Sequence, residues 1–164
     1  AFYLHGRLHK ALPGAKCILH AHAPYSTAIS LVKGGRLGTA HGIAMGIGRL
    51  VCYDDEMQGP VNDDEADRLI RIVGPEKRII FHAMHGMTTL GATVAEAYDH
   101  FYFTERMSMY TVLARQMGQE LHAVPDAAIR NYGNRDPGLQ PSAEIVHFNA
   151  MMRVLDREEP DYKT

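Results

Sequence analysis

The chain has 164 residues, 46% hydrophobic and 22% charged, ordinary figures for one globular domain with a core of its own. A formal charge of −2 gives no electrostatic reason for a nucleic-acid or membrane-surface partner, and neither is expected. Two cysteines without CxxC spacing, Cys17 and Cys52, exclude a disulfide framework and are read as buried thiols in a reducing, cytoplasmic compartment.

The chain opens inside a helical pattern. Phe2, Leu4, Leu8, Ala11 and Leu12 recur at helical spacing until Pro13 and Gly14 stop them. Because that pattern begins without Met, further residues are expected upstream. "AKCILHAH" reads as a strand, and "PYSTAISLV" as a short helix with proline in its first turn. Gly34, Gly35 and Gly38 break it. "RLVCYD" is a second strand, "NDDEADRLIRIV" a helix whose acidic start suits its N-terminal dipole, and "KRIIFHA" a third strand. "MHGMTTLGAT" is a glycine-punctuated turn with a short strand over Met87 to Leu90.

The longest helical pattern runs from Thr93 to Met117, with Thr93 as cap and Glu96 as its capping-box partner. After Val124 the composition around "NYGNRDPG" predicts an irregular tail, and "AEIVHFNAMMRVLD" a closing amphipathic helix. Helices alternating with short strands predict an α/β layered domain, residues 1–164, in which 120–164 form the C-terminal tail and helix. No apolar run approaches the roughly 20 residues of a membrane span, and a signal peptide is not expected.

Ten histidines are the compositional oddity. In a strand, residues i and i+2 emerge on one face roughly 7 Å apart, so His20 and His22 can converge on one ion at about 2.1 Å from each ring nitrogen. The same pair also fits two polar residues at a strand exit, and the residues alone leave both readings open. A catalytic zinc site typically takes three protein ligands and keeps one position free. His85 follows a buried strand and precedes Gly86, where the backbone can turn sharply; its alternative is a loop histidine bonded to backbone. His82, three residues earlier, is expected by strand parity to face the other way.

In order along the chain, "LHGRLHKALPGAKCILHAHAPYSTA", "HGMTTLGATVAEAY" and the long helix containing Glu105 resemble the class II aldolase/adducin family. The resemblance covers residues 1 to about 118 and implies a three-layer α/β/α class II aldolase-like fold around a mixed sheet. It also implies a homotetramer with sites at subunit interfaces. It makes His20, His22 and His85 the ligands of a divalent metal, Zn2+ or another such as Mn2+. A glutamate that family aldolases use falls, by counting back from the HxH, at or just before Ala1, so the chain looks like the C-terminal two-thirds of a member.

The function implied is a metal-dependent carbon–carbon lyase acting on a small hydroxy-carbonyl or hydroxy-carboxylate substrate, by aldol cleavage or decarboxylation. A sugar-phosphate epimerase or dehydratase, or a non-catalytic adducin-like interaction module, are the alternatives. His41 in "GTAHGIAMG" resembles the HG loop of family decarboxylases and becomes the candidate acid. Tyr132 is a second catalytic candidate, because family aldolases bring a C-terminal tyrosine to a neighbouring subunit's site. Tyr25 is expected to pack at a helix start. His5 and His9 face either the site or solvent, and His100, His122 and His147 are structural. Asp54 to Glu56 and "NDDEAD" are read as solvated faces or helix caps.

Overall fold

A computed structural model describes residues 2–38, 40–56, 62–133 and 143–163. Helix α1 (Phe2–Ala11) leads into strand β1 (Cys17–Ala21), which ends one residue before His22, and then into α2 (Pro24–Leu31). Helix α3 (Gly42–Ile47) and a 3-10 turn precede β2 (Val51–Asp54). Next come α4 (Asp63–Val73), β3 (Ile79–His82), β4 (Gly86–Gly91) and α5 (Val94–Gln116). Helices α6 (Asp126–Gly133) and α7 (Ala143–Glu158) follow, with a last 3-10 turn at Pro160–Lys163.

The local signals act as their chemistry requires. Asn62 caps α4 by accepting the Glu65 amide at 2.9 Å, and Thr93 caps α5 by accepting that of Glu96 at 3.1 Å. The Glu96 carboxylate reaches back to accept the Ala92 N–H at 2.6 Å, one residue earlier than a standard capping box. Gly91 is required because a Cβ there would lie 2.5 Å from the Ala97 nitrogen, inside the first turn of α5.

The sheet is mixed, in the order β1-β4-β3-β2. β4 runs antiparallel to both β1 and β3, and β2 runs parallel to β3. Side-chain alternation splits the core across its two faces. Val51, Ile79, Phe81 and Met87 pack with Ile29 of α2 and Met107 of α5. Cys52, Ile80 and Leu90 pack with Leu8 of α1 and Leu69 and Val73 of α4. The result is the three-layer α/β/α arrangement around a mixed sheet. Among the described residues no helix is long and apolar enough to cross a membrane.

Four local expectations are corrected. The glycine-rich stretch after Gly38 winds into the six-residue α3, and the tail expected to be irregular contains α6. Short helices of this kind owe their stability to packing, and α3 lies against both α5 and α6. Cys52 is buried, with its thiol pushed up to about 12 by burial, but Cys17 on edge strand β1 is only half-buried. Asp54, read as part of a solvated acidic run, is 2% exposed: it is the last residue of β2 and points to the α4 face, beside Arg68.

Candidate metal centre

The register of the sheet brings distant histidines together. His20 is opposite Thr88 on β4, and Thr88 is opposite Ile80 on β3, so His20, Thr88 and His82 share the α1/α4 face. Beyond Ala21 the chain turns at once into α2. The Glu105 carboxylate of α5 clamps that turn by accepting the Tyr25 and Ser26 amides at 2.8 and 2.9 Å. These are orphan donors of the first helical turn, satisfied here by an acid from another helix. The family resemblance pointed to Glu105, but nothing in the sequence pointed to this partner.

His85 reaches the site from the three-residue turn between β3 and β4. The Ala83, Met84 and His85 amides donate to the Asp54, Ser30 and His82 carbonyls at 2.9, 2.9 and 3.2 Å. Met84 occupies the left-handed region, with φ +60°, and its side chain is exposed. A non-glycine residue there costs about 1–2 kcal/mol, and the backbone entropy of glycine offsets part of the relief. Met84→Gly is therefore expected to raise unfolding stability by roughly 0.5–1 kcal/mol in urea titrations, with β4 unchanged.

Gly86 lets β1 and β4 approach. A Cβ at this position would lie 2.8 Å from His22 Cδ2 and 2.9 Å from the Ala21 carbonyl oxygen. Since the carbonyl cannot yield as a flexible side chain would, Gly86→Ala is expected to displace the His22 ring and cost about 1–3 kcal/mol. Chelator-competition titrations should show weaker metal binding alongside that loss.

The three imidazoles converge through their Nε2 atoms. His20 Nε2 lies 3.3 Å from His22 Nε2 and 3.1 Å from His85 Nε2, and one ring nitrogen of each residue falls within 4.8 Å of the others. Tetrahedral donors at about 2.1 Å from an ion stand about 3.4 Å apart, so this set fits a divalent cation with little movement. Lone pairs held this close repel unless a proton or cation lies between them. His20 and His22 are exposed and His85 is half-buried, which leaves one side open to solvent.

The electrostatics favour neutral rings at His20 and His85. Burial, followed by the neighbouring His82, His85 and His22, lowers His20 to about 4, with a backbone bond to Met87 acting weakly the other way. Burial, then His22 and His82, also lowers His85. Neutral imidazole is the form that ligates metals.

His82 does not face away, as parity suggested. Alternation holds only inside a strand, and the turn at Met84 folds His85 back toward the face His82 already occupies. The His82 ring centroid lies 6.0 Å from that of His20 and 6.3 Å from that of His85. Its Nε2 is 2.9 Å from Thr88 Oγ1, and its Nδ1 is 3.4 Å from Asp54 Oδ2. Asp54 Oδ1 makes an ion-pair contact of 2.7 Å with Arg68 Nη2, off the line of a well-aligned hydrogen bond. Burial alone would raise the Asp54 carboxyl, but the His82 hydrogen bond and the Arg68 guanidinium beside it outweigh burial and hold the group below its usual range.

The other candidates are scattered. His41 is exposed and packs its ring on Tyr110 at 5.3 Å, and Tyr132 falls in α6 with its side chain outside the described residues. Tyr25 is half-buried at the start of α2. His9 Nδ1 lies 2.5 Å from the Ala15 carbonyl and His100 Nδ1 2.9 Å from that of Leu90. His147 Nδ1 lies 2.8 Å from Asp99, joining α7 to α5, while His122 is exposed.

The class of protein defined here is an α/β/α domain whose edge strand and hairpin turn bring together three imidazoles that could hold a metal ion. The family model described as "Class II Aldolase and Adducin N-terminal domain" matches residues 1–112, and the chain belongs to that family. Human beta-adducin is 31% identical over 169 residues, spanning 94% of this chain and 23% of that protein. A "Putative aldolase class 2 protein" of Caulobacter vibrioides is 27% identical over 98% of this chain and 62% of its own length. The chain thus spans less than two thirds of either relative. The crystal structure of an aldolase II superfamily protein from Pseudomonas syringae shares the fold with a TM-score of 0.86 at 24% identity, over 99% of this chain and 64% of that one. An L-fuculose 1-phosphate aldolase from Glaciozyma antarctica does so at 0.77 and 19%, over 98% and 59%.

Proposed function

We propose that this chain is the core of a divalent-metal-dependent carbon–carbon lyase acting on a small hydroxy-carbonyl or hydroxy-carboxylate substrate, by aldol cleavage or decarboxylation. The observation that carries this reading is the convergence of His20, His22 and His85 nitrogens within 4.8 Å. The ion in this reading is Zn2+ or a similar divalent cation such as Mn2+, which neutral imidazoles suit. When bound, it supplies Lewis-acid stabilisation of the negative charge that develops as a carbon–carbon bond breaks.

The protein's own residues do the rest. The three rings hold the ion on an open face, from which a substrate can approach. Glu105 holds the first turn of α2, which begins two residues after His22, so the claw does not have to be ordered at the moment of binding. Its resemblance to the HG loop of family decarboxylases supports His41 for proton delivery, and the C-terminal tyrosine of family aldolases supports Tyr132 as its second candidate. The free thiols and the family resemblance support a cytoplasmic homo-oligomer, tetrameric by that resemblance.

The test incubates metal-loaded protein with hydroxy acids and hydroxy-carbonyl phosphates and follows release of carbon dioxide or aldehyde. Turnover that stops on chelation and returns on adding metal is expected, and His41→Asn should slow it about 100-fold or more without weakening metal binding. The 31% identity to beta-adducin favours a second reading, a non-catalytic interaction module. Silence across the whole panel with metal bound would select it.

A further inference from the structure

Behind the three converging rings runs a line of buried polar groups that the proposed chemistry leaves unused. Thr88, 3% exposed, places Oγ1 at 3.0 Å from His20 Nδ1 and 2.9 Å from His82 Nε2. The other His82 nitrogen faces Asp54 Oδ2 at 3.4 Å. Asp54 is anchored in turn by Arg68, whose guanidinium is gripped by Glu65 at 2.6 and 2.9 Å. Residues from five elements, β1, β2, β3, β4 and α4, thus form one chain that ends on a ring of the claw.

Donor counting gives this chain a direction. An ionised carboxylate only accepts, so the His82 nitrogen facing Asp54 carries hydrogen, and in a neutral imidazole, where one nitrogen donates and the other accepts, Nε2 holds the lone pair. The single hydroxyl proton of Thr88 then goes to His82 Nε2, and the Thr88 oxygen is free to accept from His20 Nδ1–H. That leaves the His20 Nε2 lone pair pointing at His22 and His85. The reverse polarity would put a hydrogen on His20 Nε2, in the space where the three rings meet.

We propose that Thr88 is a positioning residue that, oriented by His82 and Asp54, locks His20 in its Nδ1–H tautomer and so keeps Nε2 available as a donor. The hydrogen bond made by one ring nitrogen decides what the other can do, and such partners typically change metal affinity by about 10–100-fold. The inference rests on the metal reading for its purpose but not for its test. A tautomer is a property of the metal-free protein.

The experiment records long-range proton–nitrogen NMR correlations of the histidine rings in metal-free, 15N-labelled protein. Wild type is expected to show His20 as Nδ1–H, Thr88→Val to shift it toward Nε2–H, and Thr88→Ser to restore it. Chelator competition on the same samples should show Thr88→Val binding zinc about 10–100-fold more weakly, and Thr88→Ser close to wild type. A wild-type His20 found as Nε2–H, or a Thr88→Val spectrum identical to wild type, overturns the relay. Should Thr88→Val fail to fold, the wild-type spectrum decides alone. A wild type that takes up no zinc sinks the metal reading instead and leaves the tautomer result standing.

Discussion

His85→Ala is expected to abolish tight divalent-metal binding while leaving the fold in place. Wild-type protein prepared with zinc present should carry about one zinc per chain by elemental analysis, and the variant close to none. Two rings remain in the variant, both on exposed positions that solvent competes for. His85 sits in a turn, packs into neither core cluster, and can be truncated without opening a core cavity. If both preparations are metal-free under replete conditions, the metal reading fails.

Acid should act on the same rings with a defined sign. Folding lowers His20 to about 4 and lowers His85, whereas an unfolded histidine titrates near 6.5. As pH falls from about 6.5 toward 4, the unfolded chain takes up protons that the folded chain resists. The metal-free fold therefore has this stability in full above that window and loses it on the way down. Urea midpoints at pH 7.5 and 4.5 measure the loss, and His20→Gln should flatten the slope. An equal slope in the variant would falsify this assignment.

The second large effect concerns Glu105. Its carboxylate accepts two backbone amides in the first turn of α2, the helix that begins two residues after His22. Glu105→Ala strands both donors in a half-buried place, at a cost of about 2–3 kcal/mol in denaturant unfolding. Glu105→Gln keeps one carbonyl oxygen and should lose about half as much. Because His22 hangs from this turn, the alanine variant should also bind metal more weakly than its stability loss alone explains. Unfolding curves that overlay wild type for both variants would refute the clamp.

Much of this was legible in one dimension. The caps Asn62 and Thr93 are local, reaching three residues along the chain, so short-range chemistry was enough to find both helix starts. The HxH pair was legible as a pair on one strand face because strand periodicity is a property of a few adjacent residues, whereas His85 was singled out as the third ring by the family resemblance. What stayed hidden depends on contacts across the chain. Asp54 looked like surface because its neighbours in sequence are Asp55 and Glu56, yet its neighbours in space are His82 and Arg68. Thr88 gave no signal at all, since a threonine in a strand is ordinary until two imidazoles lie on either side of it.

The amino-acid sequence by itself determined the alternation of helices and strands and where the main helices begin, through periodicity and capping that are readable within a turn or two of chain. Its resemblance to the family named the three histidines that could meet. Only the tertiary structure decided that they do meet, with β4 seated between β1 and β3 so that His20, Thr88 and His82 face the same way. Only it gave Glu105 and Asp54 their partners, because register between strands and the burial of a charge are set by long-range packing.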